Sequence, residues 1–293
     1  MPYHPALPSD SDADPEFERL WQEVHARLNR RDVKGAQRAL KRAQRKAPPS
    51  ADALTAIGWM WIWLHAPREA IGPLRRAIKL DEQHAPAHHA LGRAYQELGL
   101  FPLAEQALQH AAALDPSHPL YQADLGTLYF NLGRIAEAET HLRRALDLTE
   151  DDAQSHALLG YITYLKDDLA AALAHFEAAV RYEPANPSHH NNLGFLRLLH
   201  GDVDGARAAF DEALRLRPRF IRALYNRALV HWLTGEVERA ADMYASAREL
   251  DASGEELEEH VVDLEEVLRL APLDETARKR LEELLERLQQ ARG

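Results

Sequence analysis

Histidines are among the residues of this chain that could coordinate a metal ion. The chain has 16 histidines and no cysteine, which removes thiolate metal sites, disulfides and thiol nucleophiles. His84 and His88 are four residues apart, but His84 falls in a predicted turn, and the pair has no third histidine or acidic partner at helical spacing. Because zinc sites normally have three or four protein ligands, we interpret these histidines as packing or surface residues and expect neither a metal nor a cofactor.

No catalytic motif is recognisable in the sequence. It contains no glycine-rich phosphate loop, no Ser-His-Asp pattern and no setting that would activate a nucleophile. The net charge of −11 argues against general nucleic-acid binding, and no apolar run is long enough to span a bilayer. Residues 1 to 16 read as a flexible acidic tail without the features of a secretion signal. We therefore expect a non-catalytic, cytoplasmic protein.

Aromatic residues recur at helical spacing and could contact another protein. In residues 51 to 84, one helical row holds Leu54, Gly58 and Trp61, and a second row lies about 100 degrees away. Equivalent positions of that second row along the chain hold eight aromatic residues: Trp59, Trp63, Phe130, Tyr161, Tyr164, Phe195, Tyr225 and Trp232. Such a strip is seldom exposed without a partner, and Trp and Tyr dominate binding hot spots. Packing between neighbouring helices is the alternative.

These residues are positioned by a pattern that recurs every 34 residues from 17 to 254, without insertion or deletion. The seven copies are 17–50, 51–84, 85–118, 119–152, 153–186, 187–220 and 221–254. Two positions are alanine in every copy, beginning with Ala36 and Ala43, and a large residue stands between them. Five copies carry a glycine in the first helical segment, which costs about 1 kcal/mol against alanine and predicts close approach of a neighbouring helix. Each copy reads as helix, turn, helix, turn.

One copy, residues 85 to 118, carries most of a known repeat signature. Its signature positions are Leu91, Gly92, Tyr95, Ala104, Leu108, Ala111 and Pro116. These residues resemble the tetratricopeptide repeat. The resemblance covers about four fifths of the chain and implies an all-α fold, a right-handed superhelical α-solenoid of antiparallel helix pairs. It further implies that the aromatic row lines a concave groove that binds a peptide or helix, so that the protein is a scaffold or adaptor.

Asparagines accompany the aromatic strip. Asn192 and Asn226 occupy equivalent positions, with Asp124 at the same place in the fourth copy. They resemble in part the asparagine ladder with which some members of this family hold a peptide backbone, because an amide both donates and accepts hydrogen bonds. The other copies hold Gln22, Ala56, Ala90 and Leu158. Capping or hydrogen bonds between helices would explain the same asparagines.

The two ends of the chain carry opposite charge. The second helix of the first copy has a basic patch, Lys34, Arg38, Lys41, Arg42 and Arg45, which either docks an acidic protein, nucleic acid or anionic lipid or is a solvated capping face. Residues 255 to 293 hold twelve Asp or Glu against six Lys or Arg and are predicted to form a helix pair that caps the open end of the repeats. Contact between opposite ends would make a homo-oligomer, a further alternative.

Overall fold

The computed structural model describes residues 14 to 290, and most of the predicted N-terminal tail lies outside this range. Within it, sixteen helices and no strand are found. The helices are α1 (Pro15–Asn29), α2 (Val33–Lys46), α3 (Ala51–Trp63), α4 (Pro67–Leu80), α5 (Ala85–Glu97), α6 (Phe101–Leu114), α7 (Pro119–Asn131), α8 (Ile135–Leu148), α9 (Ala153–Leu165), α10 (Leu169–Tyr182), α11 (Pro187–Leu199), α12 (Val203–Leu216), α13 (Ile221–Leu233), α14 (Val237–Leu250), α15 (Glu255–Leu270) and α16 (Glu275–Gln290). The fold is all-α, an α-solenoid of antiparallel helix pairs.

The chain divides into two compact units, residues 1–150 and 151–293. Unit 1 contains α1 to α8 and unit 2 contains α9 to α16. The odd-numbered helices from α1 to α13 are called first helices below, and their partners second helices. None of the helices between residues 14 and 290 combines the length and the apolar content that a bilayer crossing requires.

The first helix begins slightly earlier than the sequence indicates. α1 starts at Pro15, two residues before the first copy was predicted to begin, because Asp14 caps it by accepting a hydrogen bond from the Glu16 N–H at 2.9 Å. Proline at the first position of a helix loses no hydrogen bond, since that N–H would have no partner inside the helix. Residues 15 and 16 are therefore helical rather than part of a tail.

Each pair is held together by the repeated small and large residues. All fourteen repeated alanines are fully buried. In the five copies that have the glycine, it lies against the large residue of the second helix. A methyl group on Gly126 would stand 2.6 Å from Leu142 Cγ and 3.1 Å from the Leu142 backbone nitrogen. These distances confirm that the recurring glycine allows close approach of the neighbouring helix.

The turn inside each copy has one backbone geometry. Gly99, Gly133, Gly201 and Gly235 have φ between 70° and 84°, the left-handed region that glycine adopts at little cost. The equivalent residues of the other three copies are Arg31, His65 and Asp167, with φ of 58°, 54° and 58°. The sequence marks the turn by glycine in four copies only, yet all seven copies make it in the same way.

The C-terminal pair packs on the last copy and extends beyond it. Tyr244 of α14 lies 2.9 Å from Nε2 of the buried His260 of α15, and α16 contacts α13. α15 also contacts α11, and its Arg269 lies 3.6 Å from Asp167 in the turn after α9. The pair therefore lies against the first helices α11 and α13 of unit 2 and touches α14 through Tyr244, an arrangement that the end-capping prediction did not include.

Candidate functional site

A cleft opens between the first helices of unit 2 and α15, and we call it the unit 2 cleft. Its lining residues are Tyr161, Tyr164, Phe176, Asn191, Asn192, Phe195, Leu196, Arg222, Asn226 and Asp263. The cavity volume is about 80 Å³, enough for one end of a side chain rather than for a whole peptide. Five of the ten predicted groove residues meet here, because the 34-residue period brings equivalent positions of α9, α11 and α13 to the same face.

Aromatic rings form the apolar wall of the unit 2 cleft. Tyr161 is 36% exposed, and its ring stands edge-on to Phe176 at 5.3 Å. The half-buried Tyr164 stands edge-on to Phe195 at 6.3 Å between centroids. Burial, reinforced for Tyr164 by nearby carboxylates, raises the pKa of both phenols above the ordinary value of 10, so they remain neutral even at alkaline pH. The rings offer aromatic surface to whatever enters the cleft.

Amide groups line the cleft beside the rings. Asn226 Nδ2 donates to Asn191 Oδ1 at 3.0 Å, and Asn191 Nδ2 lies 3.5 Å from Asn192 Oδ1. The two predicted ladder residues are thus linked through Asn191, which the repeat comparison did not single out. Asn226 is only 1% exposed, and its Oδ1 has no hydrogen-bond partner among residues 14 to 290. A buried amide oxygen without a partner costs free energy, and a ligand N–H in the cleft would relieve that cost.

Two charged residues complete the unit 2 cleft. Arg222 of α13 pairs with Glu256 at 3.1 Å and contacts Glu259. Asp263 of α15 makes no hydrogen bond or ion pair within the described part of the chain. Burial raises the pKa of Asp263 from 3.8 to about 6, and Arg222 opposes this less strongly. The sequence comparison missed Asp263 because α15 falls outside the 34-residue register that aligned the other positions.

Two aromatic residues predicted to line a groove are instead in the core of unit 2. Tyr225 is 0% exposed, stacks on His260 at 5.1 Å and has its hydroxyl 3.3 Å from Asp251 Oδ2. Trp232 is 5% exposed and donates its indole N–H to the Arg280 carbonyl oxygen at 2.6 Å. Placing them in a groove was wrong, because α15 and α16 cover this part of α13.

The remaining predicted aromatic residues lie in unit 1. Trp63 is 49% exposed, whereas Trp59 and Phe130 are half-buried, with the Trp59 ring 5.2 Å from that of His89. Asp124, the ladder position of this unit, binds His89 Nε2 at 2.5 Å and Arg93 Nη1 at 2.8 Å. These partners hold the pKa of Asp124 low despite the opposing effect of its burial. Asp124 therefore links neighbouring first helices.

The predicted basic patch lies on α2 in unit 1. Lys34, Arg38, Lys41, Arg42 and Arg45 are all exposed, and Arg42 lies 3.4 Å from Glu23. Lys41 and Arg45 also border a cleft of about 340 Å³ between α2 and α4. The patch is accessible on the surface of the unit.

The repeats match a family model. The model for the tetratricopeptide repeat matches residues 89–153, 123–190, 159–219 and 192–255. Because these matches together span more than half of the 293 residues, the chain belongs to the tetratricopeptide repeat family.

Solved structures share this fold at low sequence identity. The chain is 22% identical to pilF of Pseudomonas aeruginosa, with a TM-score of 0.66 over 73% of this chain and 97% of that one. It is 20% identical to a chain of the Cut9-Hcn1 hetero-tetramer of the APC/C, with a TM-score of 0.58 over 91% of this chain and 46% of that one. MamA is 23% identical, with a TM-score of 0.50 over 56% of this chain and 95% of that one. No curated protein sequence matches the chain.

Proposed function

We propose that this protein is a non-catalytic interaction scaffold that binds a segment of a partner protein at the unit 2 cleft. Tetratricopeptide repeats and the fold they form support the scaffold role. The observation that carries the binding site is the meeting of Tyr161, Tyr164 and Phe195 with the unpartnered Asn226 Oδ1 in one cavity.

The cleft has features suited to anchoring one side chain of a longer peptide. The partly exposed rings of Tyr161 and Tyr164 would pack against the apolar part of the anchor, and such rings lose little conformational entropy on binding. Asn192 and Asn226 provide amide groups beside the rings, where a peptide N–H or carbonyl would pass. The rest of the segment would lie along the exposed surface of α9 and α11.

Selection from a random peptide display library on the full chain tests this proposal. We expect the wild type to enrich peptides and the double variant Tyr161→Ala, Tyr164→Ala to lose them, because the two exposed rings of the aromatic wall are removed. Tyr182→Ala is the matched control: Tyr182 is half-buried on α10 of the same unit and stacks on His156 at 5.6 Å, outside the cleft. The same peptides enriched on the double variant would contradict the proposal.

The exposed basic patch favours a second function, docking of an acidic protein segment on α2. Lys41 and Arg45 face the cleft beside α4 and would bind carboxylates there. We expect immobilised polyglutamate to retain the wild-type chain at low salt. The double variant Lys41→Glu, Arg45→Glu should lose this retention, and the control Lys79→Glu, at an exposed position on α4, should keep it. Equal retention of the three proteins would reject this second function.

A further inference from the structure

We propose that the unit 2 cleft binds the positively charged end of a lysine or arginine side chain of the partner segment. Asp263 is the counter-ion, Tyr161, Tyr164 and Phe195 surround the charge, and Asn226 Oδ1 accepts one of its N–H groups. This inference rests on the proposed function and names the chemistry of its ligand.

The first observation is that Asp263 lacks a partner of its own. Asp263 is half-buried, and a carboxylate partly removed from water is costly unless a cation or several N–H groups compensate it. The cation near Asp263 is Arg222, but its guanidinium group already pairs with Glu256 and Glu259, which lie about one turn apart on α15. Asp263 is therefore left without an ion pair among residues 14 to 290, and a cation entering the cleft would supply one.

The second, independent observation is the composition of the remaining walls. Aromatic rings attract a cation over their faces, and the attraction is stronger where water is excluded. Leu196 and Phe195 give an apolar surface for the methylene stem that lysine and arginine carry behind the charge. Asn226, only 1% exposed, presents an oxygen without a donor. An ammonium or guanidinium group satisfies all of these groups, whereas a neutral apolar side chain leaves Asp263 and Asn226 unpaired.

The charges around the cleft are negative in sum. Arg222 and Asp263 are the charged residues of its lining. Next to them, Glu256 and Glu259 pair with Arg222, and Glu266, which acts on Asp263, pairs with Arg269. The chain as a whole carries a net charge of −11. An acidic ligand would therefore be repelled, and a basic one attracted.

The cleft should bind its cation more tightly as the pH rises from 5 to 7. Burial places the pKa of Asp263 at about 6, and only the ionised carboxylate pairs with a cation. The groups that face Asp263 are Arg222 from α13, Glu256 and Glu266 from α15, and the tyrosines of α9, whose raised pKa values keep them neutral in this range. Binding in turn favours ionisation and releases a proton.

Peptide display on two matched variants tests the inference. Asp263→Asn removes the carboxylate in the cleft, and Glu265→Gln removes an equal charge from an exposed position two residues away on α15. We expect the wild type and Glu265→Gln to enrich peptides with lysine or arginine at one recurring position. Replacing the basic residue of the peptide by norleucine should weaken its binding to the wild type roughly tenfold or more. The same replacement should change binding to Asp263→Asn only slightly.

The outcomes separate this inference from the proposed function. Enriched peptides without a recurring basic residue would overturn the cation site and leave peptide binding at the cleft intact. The same would follow if Asp263→Asn kept the basic preference of the wild type. Enrichment of no peptide on any of the proteins would overturn both proposals.

Discussion

Asp263 is a residue whose position disfavours its own charge. Its pKa is raised by burial from 3.8 to about 6, so the folded state holds a proton that the unfolded state has released at the same pH. As the pH rises from about 4 to about 6, the folded state therefore loses stability relative to the unfolded state. Above pH 6 the folded state bears the full free-energy cost of an ionised Asp263. A carboxylate kept at such a cost is consistent with a binding role.

Asp263→Asn should therefore stabilise unit 2. We expect a gain of about 1–2 kcal/mol at pH 7, below the limit of about 3 kcal/mol that a shift of about two pKa units implies, because residual solvent contact reduces the cost. The gain should appear as the pH rises from 4 and level off above 6. Urea unfolding of both proteins from pH 4 to 8 measures it, with Glu265→Gln as the control. Equal stability at pH 7 would show that Asp263 is not destabilising.

At the residue scale, the sequence placed some side chains of the cleft but not others. Tyr161, Tyr164 and Phe195 could be grouped from the sequence because positions one period apart lie on the same face of successive first helices. Tyr225 follows the same period but is buried, since α15 covers it, and the repeat pattern carries no information about α15. Asp263 lies on that helix and was out of reach for the same reason.

Within a helix pair, the glycine of the first helix and the large residue of the second helix depend on each other, because the side chain packs where the glycine leaves room. We expect Gly126→Ala to destabilise unit 1 by about 1–3 kcal/mol, because the added methyl group would overlap Leu142 and approach its backbone. Gly72 of α4 is the control: nothing lies within 4 Å of a Cβ built there. Gly72→Ala should stabilise the helix by about 0.5–1 kcal/mol through propensity alone. If denaturant unfolding showed that both variants change the free energy of unfolding in the same direction, this packing would be contradicted.

The turn inside the copy is a second element that can be tested. His65 has φ of 54° at the place where four other copies have glycine, and a side chain in this region is strained by about 1 kcal/mol. His65→Gly should therefore raise the stability of unit 1 slightly, by about 0.5 kcal/mol after the entropy of glycine in the unfolded chain is subtracted. Thermal unfolding measures the change, and a clear loss of stability would mean that His65 makes stabilising contacts of its own.

At the scale of the whole molecule, charge should govern how fast a partner arrives. The net charge of −11 attracts basic peptides over distances that salt shortens. We expect the association rate constant of a selected basic peptide to fall several-fold between 50 mM and 500 mM salt, with a smaller change in the dissociation rate. The norleucine analogue of the same peptide should depend less on salt. If stopped-flow measurements gave the association rate constants of the two peptides the same salt dependence, the charge of the basic residue would not steer association.

The predictable part of the whole chain is the part that repeats. Seven helix pairs follow from a strict 34-residue period, since the same residues recur at the same contacts. The final pair has left this register, so its helices were predictable from their apolar stripes while its packing on α11 and α13 was not. The unit 2 cleft combines both parts: nine of its ten lining residues lie in the repeats, and Asp263 lies on α15.

A crystal structure of the full chain with a display-selected peptide decides whether the unit 2 cleft is the binding site. We expect a side chain of that peptide between Tyr161 and Tyr164, with its charged end within hydrogen-bond distance of Asp263 and Asn226. A peptide bound elsewhere, for example against Trp59 and Trp63 of unit 1, with the unit 2 cleft left empty, would contradict it.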